Sequence, residues 1–297
     1  MKNITNKIYI TNGITQDGFG ARMQRCFQVM CYVFELQSQG IPVEYVHTPL
    51  AYNEDTLVNE DRNIGTQSRQ SAISFYKEVG HEEYLERSRL WDIALGYVGE
   101  TVYDLDISNI VIKEGIRTLH QDITQGNAAG NLYVVRYLHE EYDTGQIDIN
   151  LFYKHREHIL KNFTIKKREN SKPQVAVHIR RSDTVGMPSR YLSDDYYDTI
   201  LSQLKKVEQE YDTTIYSQQI GFNSEYYRNW NIVLDVDEYD FDTFKKFIHA
   251  DHLVVGASSL SYAAALLNSN TVVYSFTGHV ALRGWYTVED YIKLINK

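Results

Sequence analysis

The sequence lacks a membrane-spanning stretch, because no apolar run approaches the roughly 18 residues that a transmembrane helix needs. The amino terminus, MKNITNKIYITNG, has only a short apolar stretch where a secretory signal needs a longer one. These two absences predict a soluble, cytoplasmic protein. Cysteine is scarce as well, since only Cys26 and Cys31 are present. Their spacing in a helical pattern directs them to different faces, so we expect reduced thiols in the core rather than a disulfide.

Positive charge is also in short supply. The chain has 30 lysines and arginines against 39 aspartates and glutamates, which gives a net charge of -9. A protein that follows phosphate backbones needs a basic surface, so the composition argues against nucleic-acid binding as the main function. Any anion must therefore be held by a local cluster. The 297 residues, 43% of them hydrophobic, are enough for one large or two ordinary domains with a buried core.

The second half of the chain alternates regularly between predicted strands and helices. The strands are expected at 173–179, 213–217, 231–236, 252–257 and 271–276, and the helices at 193–210, 224–230, 241–250 and 258–268. The helix at 193–210 begins with Ser193 as its cap and places Ile200, Leu201, Leu204 and Val207 on one face. Because the strands are apolar enough to be covered on both faces, this pattern predicts a doubly wound parallel α/β sheet.

The first half is less regular. It begins with a strand at 7–13, a helix at 19–40 and a strand at 43–46, and further helices are predicted at 82–98 and within 129–163. We interpret it as a second α/β domain, joined to the other near the charged and polar segment 164–172. The predicted domains are therefore residues 1–165 and 166–297.

A cluster of charged residues follows the first strand of the second half, in the stretch VHIRRSDTVG. Ligands of open α/β sheets bind beyond the carboxyl ends of the strands, where this cluster is predicted to lie. Arg180 and Arg181 are suited to clamp a diphosphate, because a guanidinium presents rigid donors and keeps its charge. The alternative is that one arginine pairs with Asp183 or Asp194 and ties down the loop.

Two further stretches have the character of anion sites. In the first, a strand runs through Gly256 into Ser258 and Ser259 and opens a helix, whose free N–H groups and positive dipole end suit phosphate. The alternative is that one serine is only a helix cap. The second is the glycine turn from Gly18 through Gly20 to Arg22, which lacks the third glycine of the dinucleotide fingerprint. A simple helix-initiating loop is the alternative there.

Three stretches of the sequence resemble a known family. HIRRSD (178–183) resembles the HxRRxD motif of the α1,2-, α1,6- and protein O-fucosyltransferase superfamily, and Val185-Gly186 continue it as in the α1,6-fucosyltransferases. Their donor segment resembles residues 250–255 with Ser258-Ser259, and their glycine-aromatic-glycine start resembles residues 18–20. The resemblance implies a GT-B-like fold, in which two Rossmann-like domains face a cleft. It also implies an inverting, metal-independent glycosyltransferase that moves fucose from GDP-fucose to a glycan hydroxyl without a cofactor.

The resemblance also implies roles for single residues. It gives Arg180 the β-phosphate and a catalytic part, and it gives His178 and Asp251 the guanine, whose N1 and N2 donors an aspartate can accept. Gly20 and Arg22 would border the phosphates or the acceptor from residues 1–165, the acceptor side, while residues 166–297 bind the nucleotide sugar. The expected partners are thus a nucleotide sugar and a glycan acceptor.

The sequence departs from the family pattern at two places. Pro188 occupies the position of a glutamate that is discussed as part of the catalytic base, and Ser217-Gln218-Gln219 stands where the family has Thr-Asp-Asp. The general base is therefore open. Asp183 ranks slightly ahead of Asp194, Asp195 and His47, since a base must reach the acceptor hydroxyl.

Three alternatives remain. Asp235-Val236-Asp237 and Asp104-Leu105-Asp106 resemble the DxD motif with which other transferases hold a divalent metal, since carboxylates at that spacing share a cation. A transferase of the same fold could use another GDP- or UDP-sugar. A non-catalytic protein that binds a nucleotide sugar or a glycan would keep the cleft without the base.

Overall fold

A computed structural model of the protein describes residues 7–13, 18–50, 81–105, 109–113, 115–136, 138–165, 172–181, 190–207, 209–234, 240–275 and 278–296. The chain divides into two compact units. The first comprises Met1–Ile147 with Glu157–Thr164, and the second comprises Asp148–Arg156 with Ile165–Lys297. The acceptor-side and nucleotide-binding roles of domains 1–165 and 166–297 stay predictions.

The first unit alternates strands and helices. Its elements are β1 (Ile8–Asn12), α1 (Phe19–Ser38), β2 (Val43–Tyr45), α2 (His81–Leu95), β3 (Ile110–Lys113), α3 (Ile116–Thr124), β4 (Leu132–Val135) and α4 (Leu138–Asp143). Helix α5 (Leu151–Leu160) contributes residues to both units. The strands pair in the order β2-β1-β4-β3, and every pair is parallel.

Helix α1 is the most deeply buried helix segment described in the first unit. The apolar stripe from Phe19 through Met23 and Cys26 to Phe34 is buried, and so are Gln24 and Gln28 on other faces. The helix is therefore covered on several sides. Both cysteines are free and buried, as expected.

The second unit is built in the same way. Its elements are β5 (Gln174–Ile179), α6 (Asp194–Leu204), β6 (Asp212–Ser217), β7 (Asn231–Val233), α7 (Asp240–His249), β8 (His252–Val254), α8 (Ser259–Leu267), β9 (Thr271–Val273) and α9 (Val288–Ile295). Ser193 caps α6 as predicted, since its hydroxyl accepts a hydrogen bond from the Tyr196 N–H at 3.3 Å. The helix predicted at 224–230 is instead a series of turns.

The sheet of the second unit has the order β7-β6-β5-β8-β9, and all of its pairs are parallel. Apolar residues of β5 pack against α6 and α9, and His178 of the same strand contacts Phe247 of α7 on the opposite face. The predicted fold class is thus confirmed as α/β with two parallel sheets, the C-terminal one doubly wound. The strand order reverses between β5 and β8, which is the point where such sheets bind ligands.

No helix among the described residues is long and apolar enough to cross a membrane.

Candidate functional site

Arg180 lies where the strand order reverses. It directly follows β5, and its Nη1 donates a hydrogen bond to the Ala257 carbonyl at 3.1 Å. Ala257 belongs to the connection between β8 and α8. Because this bond joins the ends of the two strands that flank the reversal, it holds a guanidinium at the carboxyl edge of the sheet. The side chain is half-buried there.

Arg181 turns away into the protein interior and is only 3% exposed. Its Nη1 donates to the carbonyls of Arg180 at 2.9 Å and Leu192 at 3.1 Å, and its Nη2 forms an ion pair with Asp194. The guanidinium also lies over the Tyr191 ring, 4.7 Å from its centre. These contacts match the loop-anchoring alternative, and the predicted donor-binding role of Arg181 stays a prediction.

Helix α8 begins at the same edge, beside Arg180. Ser258 is its N-cap, and the Ser258 hydroxyl accepts a hydrogen bond from the Leu260 N–H at 3.3 Å. Ser259 is the first helical residue and is half-buried. The capping bond uses the acceptor side of the Ser258 hydroxyl, while a serine also carries a donor. The structure thus brings Arg180, Ser258 and Ser259 to one helix start with a positive dipole end.

His178 is buried beneath this edge, with 1% of its surface exposed. Its Nδ1 is joined to the Ser261 hydroxyl by a hydrogen bond of 2.8 Å, and its ring contacts Phe247. Burial, and secondarily the Arg180 charge, lowers the pKa of His178 from 6.5 to about 3. The imidazole is therefore neutral at ordinary pH and ties β5 to α8. Its predicted contact with guanine stays a prediction.

The neutral state of His178 predicts a pH dependence of stability. Between pH 6.5 and 3 the unfolded chain binds a proton at this histidine that the folded chain does not, so stability is complete above 6.5 and falls as the pH drops. At pH 5 the loss should be about 2 kcal/mol. In urea unfolding at pH 7 and pH 5, His178→Asn should lose correspondingly less stability than wild type on acidification. Equal losses in the two proteins would contradict the assignment.

A groove of about 380 Å³ lies beside α7, and Tyr216 of β6 is one of the residues that line it. Residues 174–176 of β5 and Thr214 of β6 line its floor, and Asp242 and Lys246 are among the α7 residues along its wall. Because α7 connects two parallel strands, it runs from the carboxyl edge back to the amino edge. Asp242, in its first turn, therefore lies toward the carboxyl edge, where it pairs with Lys245 at 2.6 Å.

Asp251 does not lie at this edge. It immediately precedes β8, and its Oδ2 accepts a hydrogen bond from the N–H of Gln174, the first residue of β5, at 2.8 Å. Both positions belong to the amino edge of the sheet. His178 is four residues farther along β5, which corresponds to roughly 13 Å of strand. The structure thus separates the two residues that were predicted to bind guanine together.

The glycine turn of the first unit leads into α1 as expected. Gly18 is its N-cap, with φ -62° and ψ 162°, so this position does not require glycine. Gly20 is buried within the helix. Arg22 is buried and donates to the Ser88 hydroxyl at 3.1 Å and to the Leu50 carbonyl. These bonds direct Arg22 into the first unit, and the donor-binding roles of Gly18, Gly20 and Arg22 stay predictions.

Sequence reasoning missed Arg136, which directly follows β4. The strand order of the first sheet reverses between β1 and β4, so Arg136 lies at the carboxyl edge beside this reversal, after the strand that corresponds to β8 of the second sheet. Gly13 follows β1, and a Cβ at Gly13 would lie 2.7 Å from Cγ of Arg136. An arginine after the apolar run LYVV was the available signal.

The candidate bases differ in their surroundings. Asp183 lies outside the described residues. The Asp194 carboxylate accepts hydrogen bonds from Arg181 and from the Tyr227 hydroxyl, whereas Asp195 is exposed in the first turn of α6. His47 is buried, and burial, followed by the Arg22 charge, lowers its pKa to about 3. A group that binds a proton so weakly is a poor general base.

Of the four aspartates in the two DxD-like triplets, Asp104 lies within the described residues. Asp106, Asp235 and Asp237 lie outside the described residues. Asp104 accepts hydrogen bonds from the N–H and the hydroxyl of Thr101, both at 2.8 Å, as part of a helical cap. No group of three potential metal ligands occurs within the described parts of the chain.

No protein-family model matches the sequence, and no curated protein shows significant similarity to it. Several solved structures are similar in arrangement, including the following two. The E. coli ADP-heptose lps heptosyltransferase II has 13% identity and a TM-score of 0.37, and the match covers 98% of this chain and 97% of that one. The wall teichoic acid polymerase TagF has 12% identity and a TM-score of 0.31, with 86% of this chain covered and 59% of that one. The chain thus spans about three fifths of TagF.

Proposed function

We propose that the second unit binds a nucleoside diphosphate sugar and that the protein is an inverting, metal-independent glycosyltransferase. The observation that carries the proposal is the hydrogen bond from Arg180 to Ala257, which places a guanidinium beside the start of α8 where the strand order reverses. A helix N-terminus and an arginine together complement a diphosphate, since both present positive charge and N–H donors. The diphosphate lies between Arg180 and Ser258–Ser259.

The base of the donor lies at the Asp242 end of the groove beside α7, since Gln174 and His249 line the opposite end at the amino edge. The groove is large enough for a small ligand. Asp242 takes the role predicted for Asp251, because it lines the groove and lies toward the carboxyl edge, whereas Asp251 binds a backbone N–H at the amino edge. A carboxylate accepts from the two donors of guanine, which supports a GDP-sugar. The resemblance in the sequence favours GDP-fucose.

The chemistry requires charge stabilisation on the leaving diphosphate and a base for the acceptor hydroxyl. Arg180 and the start of α8 supply the first, since their positive charge meets the charge that develops on the departing β-phosphate. Arg181 and His178 act as positioning residues, because their buried bonds hold the end of β5 and the start of α8 in place. Asp183 and Asp195 remain the proposed candidates for the base, while Asp194 is engaged by Arg181.

Thermal shift measurements with GDP and UDP, run in excess EDTA, test donor binding. GDP at 100 times its dissociation constant should add about 2.7 kcal/mol of stability. Arg180→Ala should reduce this gain, whereas Arg228→Ala, which removes an exposed arginine paired with Glu225, should leave it unchanged. Wild-type protein that is stabilised by UDP and not by GDP would rule out the guanine assignment. Loss of GDP binding in EDTA would instead favour the metal alternative.

A second candidate is a non-catalytic protein that binds a nucleotide sugar or glycan. Two observations favour it: Pro188 replaces the glutamate of the family pattern, and the Asp194 carboxylate is occupied by Arg181 and Tyr227. Assays of donor hydrolysis and sugar transfer separate the two candidates, because only an enzyme consumes the donor.

A further inference from the structure

Two half-exposed tyrosines stand near the carboxyl edge of the second sheet. Tyr191 precedes α6 and is 43% exposed, and Tyr226 lies in the turns between β6 and β7 and is 47% exposed. Large aromatic rings with this much open surface are candidates for recognition, since the rings are apolar on their faces and polar at the hydroxyl. We refer to these two residues as the tyrosine rim.

The rings of the tyrosine rim are held by one connected set of contacts. Tyr191 lies over the Arg181 guanidinium, which forms an ion pair with Asp194. Asp194 also accepts a hydrogen bond of 2.6 Å from Tyr227, whose ring packs edge to face against Tyr226 at 4.9 Å. Rings fixed in this way lose little freedom when a ligand covers them, and this favours binding.

Tyr226 is held from a second side as well. Its hydroxyl donates a hydrogen bond to Asp198 of α6. The edge of the ring is thereby fixed at α6, while nearly half of its surface stays open.

The charges around the tyrosine rim indicate the kind of ligand. Asp194, Asp195 and Asp198 all lie on α6, and Asp195 is exposed. Carboxylates repel anionic ligands and accept hydrogen bonds from hydroxyl groups. A neutral sugar satisfies both features, because its C–H face covers an aromatic ring while its hydroxyls donate to the exposed Asp195 carboxylate. Asp194 and Asp198 already accept hydrogen bonds from within the protein.

We infer that Tyr191 and Tyr226 form a binding surface for a neutral oligosaccharide, the acceptor of the transfer reaction, which puts the acceptor on the second unit rather than on residues 1–165. This inference rests on the proposed function, which identifies the oligosaccharide as the acceptor. Arg181 supports the Tyr191 ring, and its guanidinium also donates a hydrogen bond to the Arg180 carbonyl at 2.9 Å.

The experiment measures binding of the full chain to an immobilised array of neutral and acidic oligosaccharides, with and without saturating GDP. Tyr191→Ala and Tyr226→Ala should each weaken binding to the strongest neutral ligand at least tenfold. Tyr226→Phe keeps the ring and loses only the bond to Asp198, so it should stay within about threefold of wild type. Tyr153→Ala is the matched control, since Tyr153 is 42% exposed in the same unit but lies on α5.

Three outcomes overturn the inference: no neutral oligosaccharide binds, only acidic ones bind, or folded alanine variants bind as wild type does. Melting temperatures establish that the variants are folded, and Tyr191→Ala provides the test if Tyr226→Ala does not fold. GDP binding is measured on the same samples. Glycan binding that depends on the tyrosine rim, without any nucleotide binding, would contradict the proposed function but support the glycan-binding surface. Nucleotide binding without glycan binding would support the proposed function and contradict the glycan-binding surface.

Discussion

Arg180→Lys is expected to lower the rate of sugar transfer at least tenfold, equivalent to about 1.4 kcal/mol of barrier. Donor affinity should fall less, because charge accumulates on the diphosphate as it departs and the arginine interacts more strongly with the transition state than with the bound donor. Lysine keeps the positive charge but loses the planar fork, so it cannot bond Ala257 and a phosphate oxygen in the same geometry. Turnover and donor affinity are measured together on each variant.

Arg181→Lys provides the contrasting variant. Arg181 is buried and bonds two carbonyls and Asp194, so lysine should first lower the free energy of unfolding, by about 1 to 3 kcal/mol. Arg180 is half-buried, and its lysine variant should melt close to wild type. Arg180→Lys is thus expected to lower the rate of transfer, and Arg181→Lys is expected to lower the stability. A folded Arg180→Lys protein with nearly wild-type transfer would remove the central residue from the proposed mechanism.

The fold of the second unit could be predicted from the sequence because its pattern is local. Short apolar runs bounded by polar residues become strands, and Ile200, Leu201 and Leu204 of the predicted helix face are buried as expected. Val207, the fourth residue of that face, instead lies in a 3-10 turn after the α-helix and is half-buried. The first unit was harder. Strands β3 and β4 were missed, and β4 falls inside a region predicted to contain helix. Periodicity alone does not distinguish a short apolar run such as LYVV of β4 from a buried helix segment.

The site was predictable only where position along a strand determines it. Arg180 and the start of α8 follow their strands directly, so the parallel sheet brings them to one edge. Asp251 precedes its strand, and the same rule places it at the other edge. The direction of Arg22 could not be predicted, because its partners Ser88 and Leu50 are distant in sequence. The direction of such a side chain is determined by packing against residues that are distant in sequence.

Gly256 lies between β8 and α8, where this connection passes close to His178 of β5. A Cβ at this position would lie 2.5 Å from the carbonyl oxygen of His178 and 3.2 Å from its Nδ1. His178 belongs to the central strand β5, which is paired on both sides by β6 and β8, so its backbone cannot move aside without disturbing the sheet. The small size of glycine is therefore required for β5 and the start of α8 to meet.

Gly256→Ala is expected to destabilise the protein by about 1 to 3 kcal/mol, which is the usual cost of forcing extra volume into a packed interior. It should also weaken GDP binding, because relief of the overlap moves the segment containing Ser258 away from Arg180. Gly18→Ala is the matched control: a Cβ there has no atom within 4 Å and φ is -62°, so stability should change by less than about 0.5 kcal/mol. Urea unfolding measures both variants, and GDP titration follows on those that fold. If Gly256→Ala proves as stable as Gly18→Ala, the close approach does not constrain this edge; if it is unstable yet binds GDP as wild type does, the donor is not held between Arg180 and Ser258.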